Sequence, residues 1–165
     1  MNPADLVTPS LINYCSNMNT IVVCGFTKTG KITLANKLAK ELNRKIFLSD
    51  DYQFVDPNES LYAFMKDIIP FHQNKTPIIV EGILCFRLLR KGIQESLFFP
   101  DLILKTNCNE STIRYFYNKD REEHKIERAL SFNKGLDKIW NEYLDLLSKN
   151  PWIRKPQYVE LNTSL

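Results

Sequence analysis

With 165 residues, 44% of them apolar or aromatic, the chain is long enough for one domain with a proper core. The 22 basic and 19 acidic residues leave a net charge of +3, too balanced to mark a surface for nucleic acid or an anionic membrane. No run is as long as a membrane span, the N-terminus lacks the basic-then-apolar layout of a signal peptide, and Cys15, Cys24, Cys85 and Cys108 show no ligand spacing, so buried thiols and a cytoplasmic location are expected.

Residues 1–19 hold two prolines and a short mixed segment, Leu11 to Cys15, and read as a lead-in without assigned function. The apolar run Ile21-Val22-Val23-Cys24 follows, too short for a helix and suited to a buried strand. It runs into Gly25-Phe26-Thr27-Lys28-Thr29-Gly30-Lys31, and from Leu34 the apolar spacing turns helical through Ala35, Leu38, Ala39 and Leu42. Strand, glycine loop, lysine and helix in that order make a nucleoside triphosphate site. Backbone N–H groups of the loop and of the first helical turn point at the phosphates, where the helix dipole favours an anion. Gly25 and Gly30 let the backbone turn and approach closely, and Lys31 brings a mobile charge to the outer phosphates. By composition such a match occurs in roughly one chain in twenty of this length, so the flanking strand and helix carry the assignment. The pattern has one defect. Where GxxxxGK[ST] places a hydroxyl on Mg²⁺, this chain has Ile32. Thr33 is displaced by about 100° around the helix and does not simply replace it.

Asn43-Arg44-Lys45 turns into a second apolar run, Ile46-Phe47-Leu48, which ends in Ser49-Asp50-Asp51-Tyr52. Two carboxylates past the carboxyl end of a strand lie where open α/β sheets bind ligands. One is suited to accept a proton from a substrate hydroxyl and the other to bind a hydroxyl or a metal-bound water. The plain alternative is a helix or turn cap. A helix is expected over Glu59–Ile69 with Pro70 as its stop, and His72 is expected on a surface loop. A third strand, Pro77-Ile78-Ile79-Val80, ends in Glu81-Gly82, an acid placed to hold Mg²⁺ through water.

A short helix interrupted at Gly92 is expected between Ile83 and Phe99, followed by a fourth strand at Leu102-Ile103-Leu104. Asn109 reads as an N-cap, with Ile113, Phe116 and Tyr117 facing inward. From Arg114 to Arg128 charge is dense and mixed, consistent either with a solvated helix or with a lid whose arginines close over phosphates. On a single helix Arg114, Arg121 and Arg128 would share a face. A further helix is expected over Asp137–Lys149 and a last strand over Tyr158–Leu161. The fold expected is a three-layer α/β/α P-loop NTPase with a mainly five-stranded parallel sheet and a short lid at about residues 110–135.

With GFTKTGK, LSDDYQ and IIVEGILCF in that order, the chain resembles the uridine kinase-like P-loop kinases, a group that includes nicotinamide riboside kinases, pantothenate kinase and phosphoribulokinase. The resemblance runs from about Ile21 to Trp152. It implies that ATP phosphates sit on Gly25 to Thr33, that Asp50 is the base on the acceptor hydroxyl (Asp51 in the alternative register), and that Tyr52 lines the acceptor pocket. It further implies Mg²⁺ near Asp50 and Glu81, with Arg114 and Arg121 in the lid. Ile32 and a short lid region depart from the pattern. The function expected is a small-metabolite kinase acting on a nucleoside or ribosyl hydroxyl, using ATP and Mg²⁺, with no nucleic acid or membrane partner and an open oligomeric state. The alternative is a nucleotide-binding module that acts through a partner. A kinase of polynucleotide ends would need a basic channel, which the charge balance does not supply.

Overall fold

The apolar runs become strands of one parallel sheet: β1 (Thr20–Gly25), β2 (Lys45–Leu48), β3 (Ile78–Glu81), β4 (Leu102–Asn107) and β5 (Gln157–Asn162). The computed structural model describes residues 2–165. Among the described residues there are six α-helices: α1 (Pro9–Cys15), α2 (Lys31–Leu42), α3 (Pro57–Gln73), α4 (Leu84–Gln94), α5 (Glu110–Lys119) and α6 (Ile126–Lys149). Strand order is β2-β3-β1-β4-β5, with every neighbouring pair parallel. From β1 the chain steps outward to β2, returns to β3, then crosses to β4 and β5. The direction of winding therefore reverses at β1, and the crevice of an open α/β sheet falls at the carboxyl ends of β1, β3 and β4.

β1 is buried along its whole length because both of its faces are covered. Ile21 and Val23 join the core beneath α1 and α2, with Leu34, Ala35 and Leu38. Val22 and Cys24 join the opposite core with Phe64, Phe86 and Trp140. This is the period-2 alternation of a strand between two helical layers. All four cysteines are free and buried, and no helix among the described residues is long and apolar enough to cross a membrane.

The lead-in is docked rather than loose. Residues 3–6 form a single 3₁₀ turn, and the Ala4 carbonyl accepts from Lys37 Nζ at 3.0 Å. The Pro3 ring lies where a Cβ on Gly30 would stand, 2.1 Å away, and Gly30 has φ +81°. Any side chain at position 30 would be both strained and blocked. The Arg44 guanidinium donates to the carbonyls of Cys15 and Ser16, each at 3.1 Å, closing the carboxyl end of α1.

Three expectations are corrected. α3 does not stop at Pro70; it starts at Pro57 behind an Asp56 cap and runs to Gln73. Proline removes only its own N–H, and the last turn is held by Asn74 N–H donating to the Pro70 carbonyl at 3.1 Å. Gly92 does not interrupt α4, because its missing side chain admits Phe98, whose Cβ is 2.6 Å from where a Cβ at position 92 would lie. The last long helix begins at Ile126, eleven residues before the expected start, since Ile126, Ala129, Asn133, Leu136 and Trp140 continue one buried face.

His72 is also misplaced by the sequence reading. It lies in the last turn of α3, half-buried, with Nε2 accepting from Phe99 N–H at 3.1 Å and Nδ1 2.8 Å from Thr20 Oγ1. An acceptor Nε2 requires the proton on Nδ1, so the ring is held neutral. Burial pushes its pKa below the ordinary 6.5, and Arg154 adds to this while Asp101 opposes it. A folded-state pKa below the unfolded one contributes stability that is present above 6.5 and lost as pH falls through the folded value. Denaturant unfolding of His72→Phe is expected to give a loss of about 1–2 kcal/mol at pH 7.5 and a flatter pH dependence below pH 6.5 than the native protein.

Candidate active site

The glycine loop, the Ser49–Tyr52 turn and Glu81 all stand at the carboxyl ends of strands. β1 ends in Gly25, whose missing side chain leaves room for Thr106 of β4: its Oγ1 is 2.0 Å from an ideal Cβ. Thr29 Oγ1 is 2.7 Å from both the Phe26 carbonyl, to which it donates, and Thr106 Oγ1. The loop is thereby closed on itself and on β4. Lys31 starts α2 and is only 8% exposed; its ammonium curls back to donate to the Phe26 carbonyl at 2.7 Å. Burial lowers its pKa, while Glu81 and, more weakly, Asp50 oppose the shift. The ammonium is thus held in a buried site, satisfied by one main-chain carbonyl and within electrostatic reach of carboxylates. Ile32 is 41% exposed beside it and presents no oxygen.

Glu81 ends β3, in register with Val23 of β1 and Leu48 of β2. It is buried, and its Oε2 has no hydrogen-bond partner. Gly82 follows at φ +125°, with an ideal Cβ only 1.8 Å from Ser49 Oγ, so the end of β2 packs where a side chain would stand. This approach draws the Ser49–Tyr52 turn against the end of β3. The turn then separates its two acids. Asp50 lines a cavity of about 300 Å³ with Tyr52, Phe54, Arg87, Phe132 and Leu136. Asp51 lines a different groove along β2, with Lys45, Lys66 and Asp67. Tyr52 donates to Asp67 Oδ2 at 2.6 Å and packs edge-on against Phe64 at 5.1 Å. Burial and the Asp67 carboxylate push its phenol up to about 12.

A second cavity, of about 590 Å³, touches the glycine loop at Thr27 and is bounded by Tyr117, Lys125, Arg128 and Phe132. Phe132 belongs to both cavities and stands between them.

The α5–α6 hairpin is clasped to the loop. Lys28 pairs with Asp120 at 2.7 Å and Glu122 at 3.6 Å and lies 5.0 Å from the Tyr117 ring centre. Thr27 donates from both its N–H (3.1 Å) and its hydroxyl (3.3 Å) to Asn133 Oδ1, and the buried Asn133 Nδ2 has no partner.

The fold, a parallel sheet between helical layers, has a known counterpart. A gluconokinase from Sinorhizobium meliloti 1021 aligns with a TM-score of 0.52 at 15% identity, over 79% of this chain and 92% of that one. The fold is that of a P-loop NTPase. A shikimate kinase from Bacteroides thetaiotaomicron (18% identity, 88% of this chain and 86% of that one) and a thymidylate kinase from Ehrlichia chaffeensis (17%, 88% and 88%) align with TM-scores of 0.38. At 15% identity the likeness to the gluconokinase extends to the fold alone. No protein-family model matches the sequence, and no curated protein is significantly similar to it.

The P-loop fold brings Lys31, Glu81 and Asp50 within electrostatic reach of one another. It does not bring the predicted arginines to them. α5 ends at Lys119 and Arg121 sits in the turn with φ +58°, so Arg114, Arg121 and Arg128 are on different elements and share no face. Arg114 is held by Glu110 at 2.7 Å and Glu127 at 3.1 Å, and lines neither cavity beside the P-loop. Arg121 is exposed in its turn and lines neither cavity. Arg128 and Lys125 are the hairpin cations that reach the Thr27 cavity. Asn133 had no signal in the sequence, and neither did Lys105, a buried lysine 5.3 Å from the Phe26 ring centre and 5.7 Å from that of Trp140.

Among the described residues no three acidic, histidine or cysteine side chains gather into a metal cage. The orphaned Oε2 of Glu81 nevertheless suits Mg²⁺, which keeps most of its waters and takes one or two carboxylates besides phosphate oxygens. Burial, reinforced by Asp50 and Asp51 against Lys31, raises the Glu81 carboxyl from 4.5 to about 7. An acid whose folded pKa is raised costs stability as pH climbs from the unfolded value through the folded one. That interval corresponds to about 3 kcal/mol. Without divalent cations, Glu81→Gln is expected to match the native protein near pH 4.5 and exceed its unfolding free energy by up to about 3 kcal/mol at pH 8. A difference independent of pH would mean that the carboxylate is solvated.

Proposed function

We propose that this protein is an ATP-dependent kinase that moves the γ-phosphoryl group to a hydroxyl of a small metabolite, in the first instance a nucleoside or other ribosyl compound of the uridine or nicotinamide riboside type. The observation that carries the reading is the pairing of a P-loop lysine with a separate small cavity that holds Asp50. One site cradles a polyanion and the next offers a carboxylate to a hydroxyl, which is the division of labour phosphoryl transfer needs. The likeness in fold to a gluconokinase agrees with it.

In this mechanism the P-loop N–H groups and Lys31 hold the β- and γ-phosphates. Lys31 exchanges its bond to the Phe26 carbonyl for phosphate oxygens, a stronger charge-assisted contact. Asp50 orients the acceptor hydroxyl in line with the γ-phosphorus and takes its proton as the new P–O bond forms. The bond to the β-phosphate oxygen breaks, ADP leaves, and Asp50 returns the proton to solvent. Glu81 and Asp50 would hold Mg²⁺ through water, and the ion, when bound, neutralises charge on the phosphates. Arg128 supplies positive charge from the hairpin side, while Lys125, which also borders that cavity, is paired with Glu122.

A second reading, a nucleotide-binding module without efficient transfer, draws on Ile32 and on the clasp that ties Lys28 and Thr27 to the hairpin. The deciding experiment is acceptor-dependent ADP release with ATP and Mg²⁺, run over nucleosides, nicotinamide riboside and pantothenate. Turnover with one acceptor supports the kinase. ATP binding without turnover on any acceptor favours the module.

A further inference from the structure

Arg87 is the half-buried arginine that the mechanism leaves unused. It lies on α4 and lines the same cavity as Asp50. Its neighbours on that helix are neutralised: Arg90 pairs with Glu142 at 2.7 Å, and Lys91 with Glu95 at 3.2 Å. Among the described residues Arg87 has no carboxylate within 4.0 Å and no hydrogen bond. The other arginines without an ion pair differ from it. Arg44 is satisfied by main-chain carbonyls, and Arg121 and Arg128 are exposed to water. The stem of such an arginine packs against apolar surface while its guanidinium, taken up by no group of the chain, keeps its donors free for an anionic ligand in the cavity it lines.

The rest of the cavity narrows the ligand. Phe54, Phe132 and Leu136 are apolar walls, and Asp50 is the lining carboxylate. At about 300 Å³ the cavity takes a sugar-sized group, on the order of ten water volumes. Arg87 also borders the open groove of about 1180 Å³ between α3 and α4, so it stands where the cavity meets solvent and anything larger would extend outward. We propose that the acceptor is an anionic hydroxy compound, whose hydroxyl is taken by Asp50 and whose carboxylate or phosphate is held by Arg87. Arginine suits this task, since its planar fork donates two parallel hydrogen bonds to either group. The inference rests on the kinase reading for the role of Asp50 and narrows it: a neutral nucleoside would leave Arg87 unpaired, and an acidic ribosyl compound or sugar acid would not.

The test uses matched acceptors that differ in charge: nicotinic acid riboside against nicotinamide riboside, and ribonate and ribose 5-phosphate against ribose. Each is assayed for ADP release and for its shift of the melting temperature in the presence of a non-hydrolysable ATP analogue. The native protein is compared with Arg87→Met, which keeps the aliphatic stem, and with Arg87→Lys. The expected result is turnover or stabilisation by an acidic member only, weakened about 10- to 100-fold in Arg87→Met and partly restored in Arg87→Lys, with ATP affinity unchanged. Whether ribonate or ribose 5-phosphate responds separates carboxylate from phosphate. Equal response to neutral and acidic members, equal loss on both in Arg87→Met, or no response to any acid overturns the proposal. ATP binding is scored separately. If acids bind through Arg87 while ATP does not bind, the kinase reading fails and the anion site stands.

Discussion

Lys31→Met is expected to abolish acceptor-dependent ADP release, with kcat/KM falling by about 10²–10³, while the unliganded protein folds as well as the native one or better. Two observations underlie this pairing of outcomes. The ammonium is 8% exposed, and its hydrogen-bond partner is a single main-chain carbonyl, Phe26 O. Burial lowers its pKa, so the folded protein holds the charge less readily than the unfolded chain does. Its contribution to stability is therefore unfavourable at neutral pH. Methionine keeps the stem and removes that cost. The cost is offset when phosphates arrive, and ATP should raise the melting temperature of the native protein far more than that of the variant. Equal ATP stabilisation of both would show that the triphosphate is held elsewhere.

Asp50→Asn is expected to lower kcat by about 10²–10⁴ with stabilisation by ATP in the absence of Mg²⁺ unchanged, whereas Asp51→Asn changes either parameter less than about threefold. Adjacent residues in one 3₁₀ turn point in different directions, and the cavities they line show where. Asp50 shares its cavity with Arg87 and Phe132, and Phe132 also borders the Thr27 cavity at the P-loop. Asp51 opens onto the outer edge of the sheet beside Lys45 and Lys66. Both variants remove one charge from the same short turn, so a general electrostatic effect would move them together. Single-turnover measurement of γ-phosphoryl transfer isolates the chemical step. A dead Asp51→Asn beside an active Asp50→Asn would reverse the assignment.

The sequence by itself determined the strands, the P-loop and the placing of acids at strand ends. These features are local: an apolar run too short for a helix, glycines where the backbone turns, a carboxylate on the last residue of a buried strand. Ile21 to Leu38, Glu81 and the Asn109 cap were legible for that reason, and the cap is made by Asn109 Oδ1 accepting from Thr112 N–H. The sequence misjudged what neighbours decide. Pro70 and Gly92 read as breaks, yet α3 and α4 run through them because one lost N–H is tolerated and Phe98 fills the space above the glycine. The sevenfold spacing of Arg114, Arg121 and Arg128 suggested one cationic face, but the αL turn at Arg121 ends the helix and scatters them. Asn133, Lys105 and Arg87 were invisible because nothing near them in the chain marks them. Asn133 meets Thr27 across 106 positions, and Arg87 meets Asp50 only around a cavity that α4, α6 and the Ser49–Tyr52 turn enclose together. Contacts between residues so far apart in sequence depend on how the layers pack, and only the tertiary structure decides that.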